Sequence, residues 1–440
     1  MGRRRLGRGR LLAFSVGVLV LGLGLAELAA GAWIGDRPKV GLTRADFFLF
    51  ARQPLLVPHE SGLQVSDYAL TNSAWDTVAA DRSWQAVVLG GSFAAGDPWV
   101  VPGEPRQPGG LAGFVEGRIE APVLSLAANG DTSIRVREKV PEVLALKPDL
   151  LVVATGNNEF PLDPPAWVHR LRRSELGRLL RWKLPLDGLE PPSDLDALRL
   201  AGPPSATLRA IFDRNLATIR RRAEAAGVPL LLATLPNNLL IDLATPTAFD
   251  SPDAACAAAL VQAEPGSAAQ LWLDGIAAGT GGCLGEATGR YASDPDGALE
   301  AARACAEFPA AGAAGLALHW LGSPAGRTVL QLRIEADTQG VRPSFNRVVQ
   351  AAGASVLDLN AAAALLDPDG LPGPGLFVDC CHLDWAGYAD LAEPLAAATG
   401  RPLTGPAPRD QGASAGLPPP YPQTPRSRPA PGTCPPIVPL

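Results

Sequence analysis

At 440 residues, with 47% hydrophobic side chains, the chain has material for one large folded domain or two modest ones. Its 38 lysines and arginines against 44 aspartates and glutamates leave it mildly acidic, and no basic face or aromatic–basic interleaving remains to suit nucleic acid as a partner. Gly and Pro, at 47 and 44 residues, make up about a fifth of the chain, and much of this excess lies in loops and at the C-terminus.

The chain opens on MGRRRLGRGR, five arginines in ten residues, followed by an apolar run over residues 11–34. Arginines ahead of such a run form an export signal, with the positive end kept in the cytoplasm. The run is long enough to cross a bilayer as an uncleaved signal anchor, although Glu27 interrupts it. Cleavage near Ala30-Gly31-Ala32 is the alternative and would release a periplasmic or secreted form. With no second comparable segment, everything after residue 40 is expected outside the cytoplasm, on an inner-membrane anchor.

Residues 36–84 read as an irregular juxtamembrane segment with the aromatic patch Phe47, Phe48 and Phe50, packing on the domain that follows. A regular rhythm then begins. Strands are expected at 86–90 (AVVLG), 123–127 (VLSLA), 150–154 (LLVVA) and 229–235 (PLLLATL). Helices are expected at 111–120, 134–146 and 205–226, the last stopped by Gly227. Short, continuously apolar strands alternating with helices indicate a mostly parallel sheet covered on both faces. A fifth strand, 355–359 (SVLDL), arrives too late for one crossover helix. The interval 251–337 therefore reads as a helical insertion capping the sheet, with Asp294-Pro295 opening one helix and Ala298, Ala302, Cys305, Leu316, His319 and Trp320 at helical spacing. A helix at 385–398 closes the domain. Residues 401–440, with proline at 13 of 40 positions, form an extended tail.

The cysteines are Cys256, Cys283, Cys305, Cys380, Cys381 and Cys434. Export permits disulfides, but pairing is not legible from sequence. Cys380 or Cys381 bonded to Cys256, Cys283 or Cys305 would tie their loop to the insertion; alternatively both are small buried hydrophobes. No CxxC pair exists and the 380–382 grouping is too tight for a four-ligand cage, which argues against structural zinc. No cofactor is implied.

Parallel sheets carry their sites at the carboxyl ends of their strands. Three such ends hold small polar sequences: Gly90-Gly91-Ser92 with Gly96, Ala128-Asn129-Gly130, and Gly156-Asn157-Asn158-Glu159. A serine nucleophile needs a base, and the histidines are His59, His169, His319 and His382. His59 and His169 lie in proline-rich stretches, and His319 reads as a packing residue. His382 follows Asp379 by three residues, a spacing at which the carboxylate can hold one imidazole nitrogen and leave the other for Ser92. The alternatives are a helix cap for Asp379–His382 and, for Ser92, a phosphate-cradling loop or plain turn. Against the cradle, no lysine follows and neither GxxxxGK[ST] nor GxGxxG is present. Gly130 N–H and the amide of Asn158 or Asn157 are candidate oxyanion donors, undecided by spacing.

These residues together resemble the SGNH (GDSL-like) hydrolase superfamily, in particular its membrane-anchored bacterial branch with a helical, tetratricopeptide-like insertion. Gly90-Gly91-Ser92…Gly96 matches its first block, Gly130 its second, Gly156-Asn157-Asn158-Glu159 its third, and Asp379-Cys-Cys-His382, within FxDxxHLxxxG, its fifth. The resemblance covers residues 85–395. It implies a flavodoxin-like three-layer α/β/α fold with a parallel five-stranded sheet, a Ser92–His382–Asp379 triad, and Asn158 as the oxyanion amide. It also implies hydrolysis or transfer of ester-linked acyl groups, with an O-acetylated or acceptor cell-envelope glycan as one candidate partner. Many relatives carry aspartate where this chain has Gly91. The competing function is an inactive SGNH-like scaffold whose insertion and tail engage a protein partner.

Overall fold

The computed structural model describes residues 8–34, 55–60, 62–65, 77–78, 82–99, 110–159, 176, 179, 205–239, 266, 268–280, 282–305, 311–336, 343–367, 370–373, 376–379 and 381–405. The chain divides into two compact units, Met1–Gln53 with Leu162–Leu198, and Pro54–Pro161 with Arg199–Leu440. The first contains α1 (Arg8–Ile34), whose window Ser15–Ala32 has a mean hydropathy of 1.8. Val16, Leu19, Leu21 and Leu28 on α1 are exposed to the surroundings of the protein. A helix of this length and apolarity suits a membrane span or a signal sequence. Glu27 accepts a hydrogen bond from Leu176 N–H at 2.9 Å.

The second unit begins with a small antiparallel sheet, β1 (Leu56–His59), β2 (Gly62–Val65) and β3 (Thr77–Val78). This is where an irregular segment was expected. Strands of four, four and two residues, interrupted by Pro58, Gly62 and Gln64, are too short to show an apolar alternation, and strand pairing supplies the order instead. Leu55 and Leu56 are buried against the main domain, and Leu56 N–H bonds Glu142 at 3.0 Å, so the packing role expected of the segment holds for these residues. The aromatic patch at residues 47–50 lies outside the described residues.

The main sheet contains β4 (Ala86–Gly90), β5 (Val123–Ser125), β6 (Leu151–Ala154), β7 (Leu230–Ala233) and β8 (Ser355–Leu357). All pairings are parallel and the order is β5-β4-β6-β7-β8, the doubly wound order 2-1-3-4-5. Its strands are apolar on both faces because both faces are covered. Val88, Val152 and Ala233 pack on one side with α3 (Gly110–Ile119), α12 (Leu359–Leu366) and α13 (Trp385–Ala398). Val87, Val153 and Leu232 pack on the other with α4 (Ser133–Ala145), α5 (Ser205–Ala226) and α11 (Pro343–Ala351). The result is three layers, with side chains of successive strand residues pointing to opposite faces.

Strand ends are set by capping. β8 stops at Leu357, before the expected 359, because Asp358 accepts from Ala361 N–H at 2.9 Å and starts α12. Gly227 ends α5 with φ 69°, as its position after the apolar period indicates. The first residues of the expected tail belong to the domain: Gly405 N–H bonds Arg118 O at 3.0 Å, while the rest of the tail lies outside the described residues.

The insertion is helical: α6 (Ala268–Ala277), α7 (Gly282–Arg290), α8 (Pro295–Arg303), α9 (Ala311–Trp320) and α10 (Pro324–Ala336). Asp294 caps α8 through Gly297 N–H at 2.9 Å, with Pro295 in the first turn. Glycine is required at Gly326, where a Cβ would fall 2.4 Å from His319 N, so α9 and α10 can approach closely. Leu273, Ile276, Leu284, Leu318 and Val329 form a small core of their own. A disulfide joins Cys283 to Cys305 inside this insertion. That pairing corrects any bond from either of them to the 380–381 loop, and Cys381 is not in a disulfide. Cys256, Cys380 and Cys434 lie outside the described residues.

Buried polar contacts couple the insertion to the sheet domain. The Glu335 carboxylate accepts from Tyr291 Oη at 3.1 Å and from Ser344 Oγ at 3.0 Å, and Ser344 N–H also donates to it. Ser344 opens α11, which feeds β8. A helix feeding a parallel strand begins at the strand's carboxyl end, so the insertion attaches on that edge of the sheet.

Candidate active site

Ser92 lies in a sharp turn at the carboxyl end of β4. Gly91 is extended at φ -83°, Ser92 begins the short helix α2 (Ser92–Ala95), and Gly96 closes it in the left-handed region at φ 95°. Ser92 is 7% exposed. A Cβ on Gly91 would sit 2.5 Å from Asn158 Nδ2 and 2.9 Å from Asn157 Oδ1. Both asparagine amides lie close against the backbone just before Ser92, so a side chain at this position would have to displace them.

At the end of β5, Ala128 N–H bonds Gly90 O at 3.0 Å, bringing the next turn beside the Ser92 turn. Gly130 takes φ 78° there, and Asp131 N–H closes on Ala128 O at 3.1 Å. Asp131 O accepts from Asn158 Nδ2 at 3.3 Å, joining the second and third polar loops. The buried Asp131 carboxylate binds Arg135 Nε at 3.1 Å and Lys139 Nζ at 2.5 Å, and Lys139 also donates to Leu126 O at 3.0 Å. Burial pushes the Lys139 ammonium down from its ordinary value, and the attraction of Asp131 opposes that shift. Removing one member of such a buried network typically costs about 3–5 kcal/mol, so it holds the Gly130 turn rigidly.

The loop after β6 rests on Phe212 and Phe345, which approach Gly156. Asn157 is 6% exposed, and neither its amide oxygen nor its nitrogen has a hydrogen-bond partner among the described residues. A buried, unsatisfied amide beside the Ser92 turn is itself a functional signal. Glu159 turns away and accepts from Ser133 N–H at 2.7 Å and Ser133 Oγ at 2.8 Å, and Asn215 Nδ2 donates to that hydroxyl at 2.9 Å. Burial pushes the Glu159 carboxyl up to about 7 from an ordinary 4.5, against the two bonds from Ser133. Across that window the folded protein holds a proton that the unfolded chain has released, so stability falls as pH rises and levels off above it. The contribution is roughly 3 kcal/mol. Urea midpoints of the full chain, compared at about pH 5 and pH 8, are expected to drop less for Glu159→Gln than for the native protein. An equal drop would remove Glu159 as the source.

The fourth element is the loop entering α13. Phe377 and Leu383 form a bridge, and Val378 N–H bonds His382 O at 2.9 Å, folding the segment into a tight turn. Asp379 Oδ1 accepts the N–H groups of Cys381 at 2.8 Å and His382 at 2.7 Å, while Oδ2 lies 2.6 Å from His382 Nδ1. Burial acts to raise the Asp379 pKa, but the hydrogen bond and charge of His382, with the two N–H groups, hold it below its ordinary value. Asn238 Nδ2 fixes the Asp379 carbonyl at 2.7 Å. Two further bonds tie this loop to the Ser92 turn: Trp99 Nε1 to Leu383 O at 3.0 Å and Tyr388 Oη to Asp97 O at 3.1 Å.

The structure thus brings Asp379 and His382 into direct contact and joins Gly130, Asp131 and Asn158 beside Gly91. Among the described residues no hydrogen bond links Ser92 Oγ to His382. His382 Nε2 instead lies 3.7 Å from Asp97 Oδ2, five residues beyond Ser92. Ligand-free sites often hold such pairs loosely. Asp97, the Asp131–Lys139 pair and Asn238 were not legible as site residues, since each acts across an interval no spacing rule covers. For Asp97, only its place in the turn after a candidate nucleophile could have pointed to it. His319 is half-buried in α9, in keeping with packing; the His59 side chain and His169 lie outside the described residues. Comparison with protein-family models, curated proteins and solved structures finds no match.

Proposed function

We propose that this protein is a serine-dependent ester hydrolase or O-acyl transferase of the SGNH type, acting outside the cytoplasm from an amino-terminal membrane anchor. The observation that carries the reading is the Asp379–His382 contact of 2.6 Å, on a loop bonded to the turn that holds Ser92. The site also falls at the carboxyl edge of the sheet, where the strand order reverses between β4 and β6, the usual crevice of doubly wound folds.

In this mechanism Asp379 holds Nδ1–H and keeps Nε2 as the base. His382 takes the Ser92 proton as Oγ attacks the ester carbonyl, and the N–H groups of Ser92 and Gly130 with the Asn158 amide stabilise the oxyanion. The alkoxide leaves with the proton from His382. Water or a sugar hydroxyl, deprotonated by His382, then releases the acyl group. Transfer is distinguished from hydrolysis by adding a glycan acceptor to a small acetyl ester and measuring acylated product.

A membrane-impermeant fluorophosphonate probe applied to intact cells tests reactivity and side together. Labelling of the native chain and none of Ser92→Ala is expected. No labelling even after lysis would favour the inactive scaffold, and labelling only after lysis would reverse the topology.

A further inference from the structure

We infer that Asp97 is a positioning residue for the proposed reaction, a second carboxylate that favours positive charge on His382 and so strengthens it as the base toward Ser92. His382 lies between two carboxylates: Asp379 Oδ2 is 2.6 Å from Nδ1, and Asp97 Oδ2 is 3.7 Å from Nε2. The first separation is a hydrogen bond. The second is too long for one, but Coulomb attraction acts at that distance and needs no alignment of lone pairs.

The place of Asp97 is fixed by its own backbone. Its N–H donates to Ser92 O at 3.1 Å, and its carbonyl accepts from Tyr388 Oη at 3.1 Å. Trp99 Nε1, two residues on, bonds Leu383 O beside His382 at 3.0 Å. One carboxylate therefore rides on the Ser92 turn and the other on the histidine's own loop. Among the described residues, the titratable groups around this imidazole are Asp379 and Cys381 on its loop, Tyr388 on α13, and Asp97. Burial pushes the Tyr388 phenol well up, so it stays neutral and adds no charge.

A neutral imidazole gains little from a carboxylate near Nε2, whereas an imidazolium is attracted to it. The imidazolium is also the species formed when Ser92 passes its proton to Nε2. Asp97 thus raises the pH at which His382 becomes free to act, and it offsets the charge that develops there in the transition state. The charge coupling stands on geometry alone, while the effect on rate rests on the hydrolase reading.

The test uses the full chain in detergent. Modification of His382 by diethyl pyrocarbonate, mapped by mass spectrometry across pH, follows the neutral imidazole and needs no esterase activity. Its midpoint is expected to fall by about one unit in Asp97→Asn, the low end for an opposite charge this close, because the Asp97 side chain is 32% exposed. Asp97→Glu, which keeps the charge, and Cys381→Ser are expected to stay near the native midpoint. On a 4-nitrophenyl ester, the acid limb of kcat/KM is expected to move down with the Asp97→Asn midpoint, while the plateau falls about three- to tenfold. An unmoved midpoint in Asp97→Asn, or an equal fall in Cys381→Ser, overturns the assignment. A lowered midpoint with an undiminished plateau overturns the part in catalysis. A lowered midpoint in a chain without esterase activity upholds the coupling of Asp97 to His382 and rejects the hydrolase reading instead.

Discussion

Replacing His382 with alanine is expected to lower the turnover of a small activated ester by about 10⁴-fold or more, with little change in KM. Without an imidazole at this position the Ser92 proton has no acceptor of suitable basicity, and the histidine's second duty, protonating the leaving group, is lost as well. Asp379→Asn is expected to fall almost as far, by up to about 10⁴-fold. An amide can still occupy the turn and accept the Cys381 and His382 N–H groups, but it no longer secures the tautomer with Nδ1 protonated or balances the imidazolium charge. Initial rates on a 4-nitrophenyl ester, with circular dichroism to verify folding, measure both. A His382→Ala protein within tenfold of native turnover would reject the triad.

The second large effect is at the oxyanion amide. Asn158→Ala is expected to lower kcat by about 10²–10³-fold while changing KM far less, since the donor acts on charge that develops only in the transition state. The geometry supplies a reason beyond motif position. Asn158 Nδ2 donates to Asp131 O, and that loop is anchored by the buried Asp131–Lys139 and Asp131–Arg135 pairs. One amide hydrogen thus fixes orientation, which leaves the other for the oxyanion of the proposed mechanism. Asn157→Ala is expected to have the smaller effect. Its unsatisfied buried amide makes it a real competitor, and a larger kcat loss at Asn157 than at Asn158 would transfer the role to it.

Much of the architecture was legible because its signals are local. Continuously apolar stretches such as AVVLG and LVVA mark strands buried on both faces, and the glycine and asparagine clusters at their ends mark sharp turns. Capping at Asp294 and the stop at Gly227 are single-residue effects of the same kind. The amino-terminal sheet escaped notice because short edge strands with mixed composition carry no dependable period. The cysteine pairing escaped because a disulfide depends on Cα separation after folding, and Cys283 and Cys305 come within 5.7 Å only when α7 and α8 have packed.

The sequence by itself determined the apolar amino-terminal helix, the alternation that builds a doubly wound parallel sheet, and the Asp379–His382 contact, since three residues of separation leave that pair little choice but to meet. Tertiary structure alone decided that the Asn157 and Asn158 amides lie against Gly91, that Asp131 and Lys139 brace the Gly130 turn, and that Asp97 faces His382 Nε2. Those relations join residues separated by as many as 285 positions. They depend on strand order, helix packing and the distances between loop tips, and no pattern along one chain encodes distances between segments that meet only when the sheet has closed.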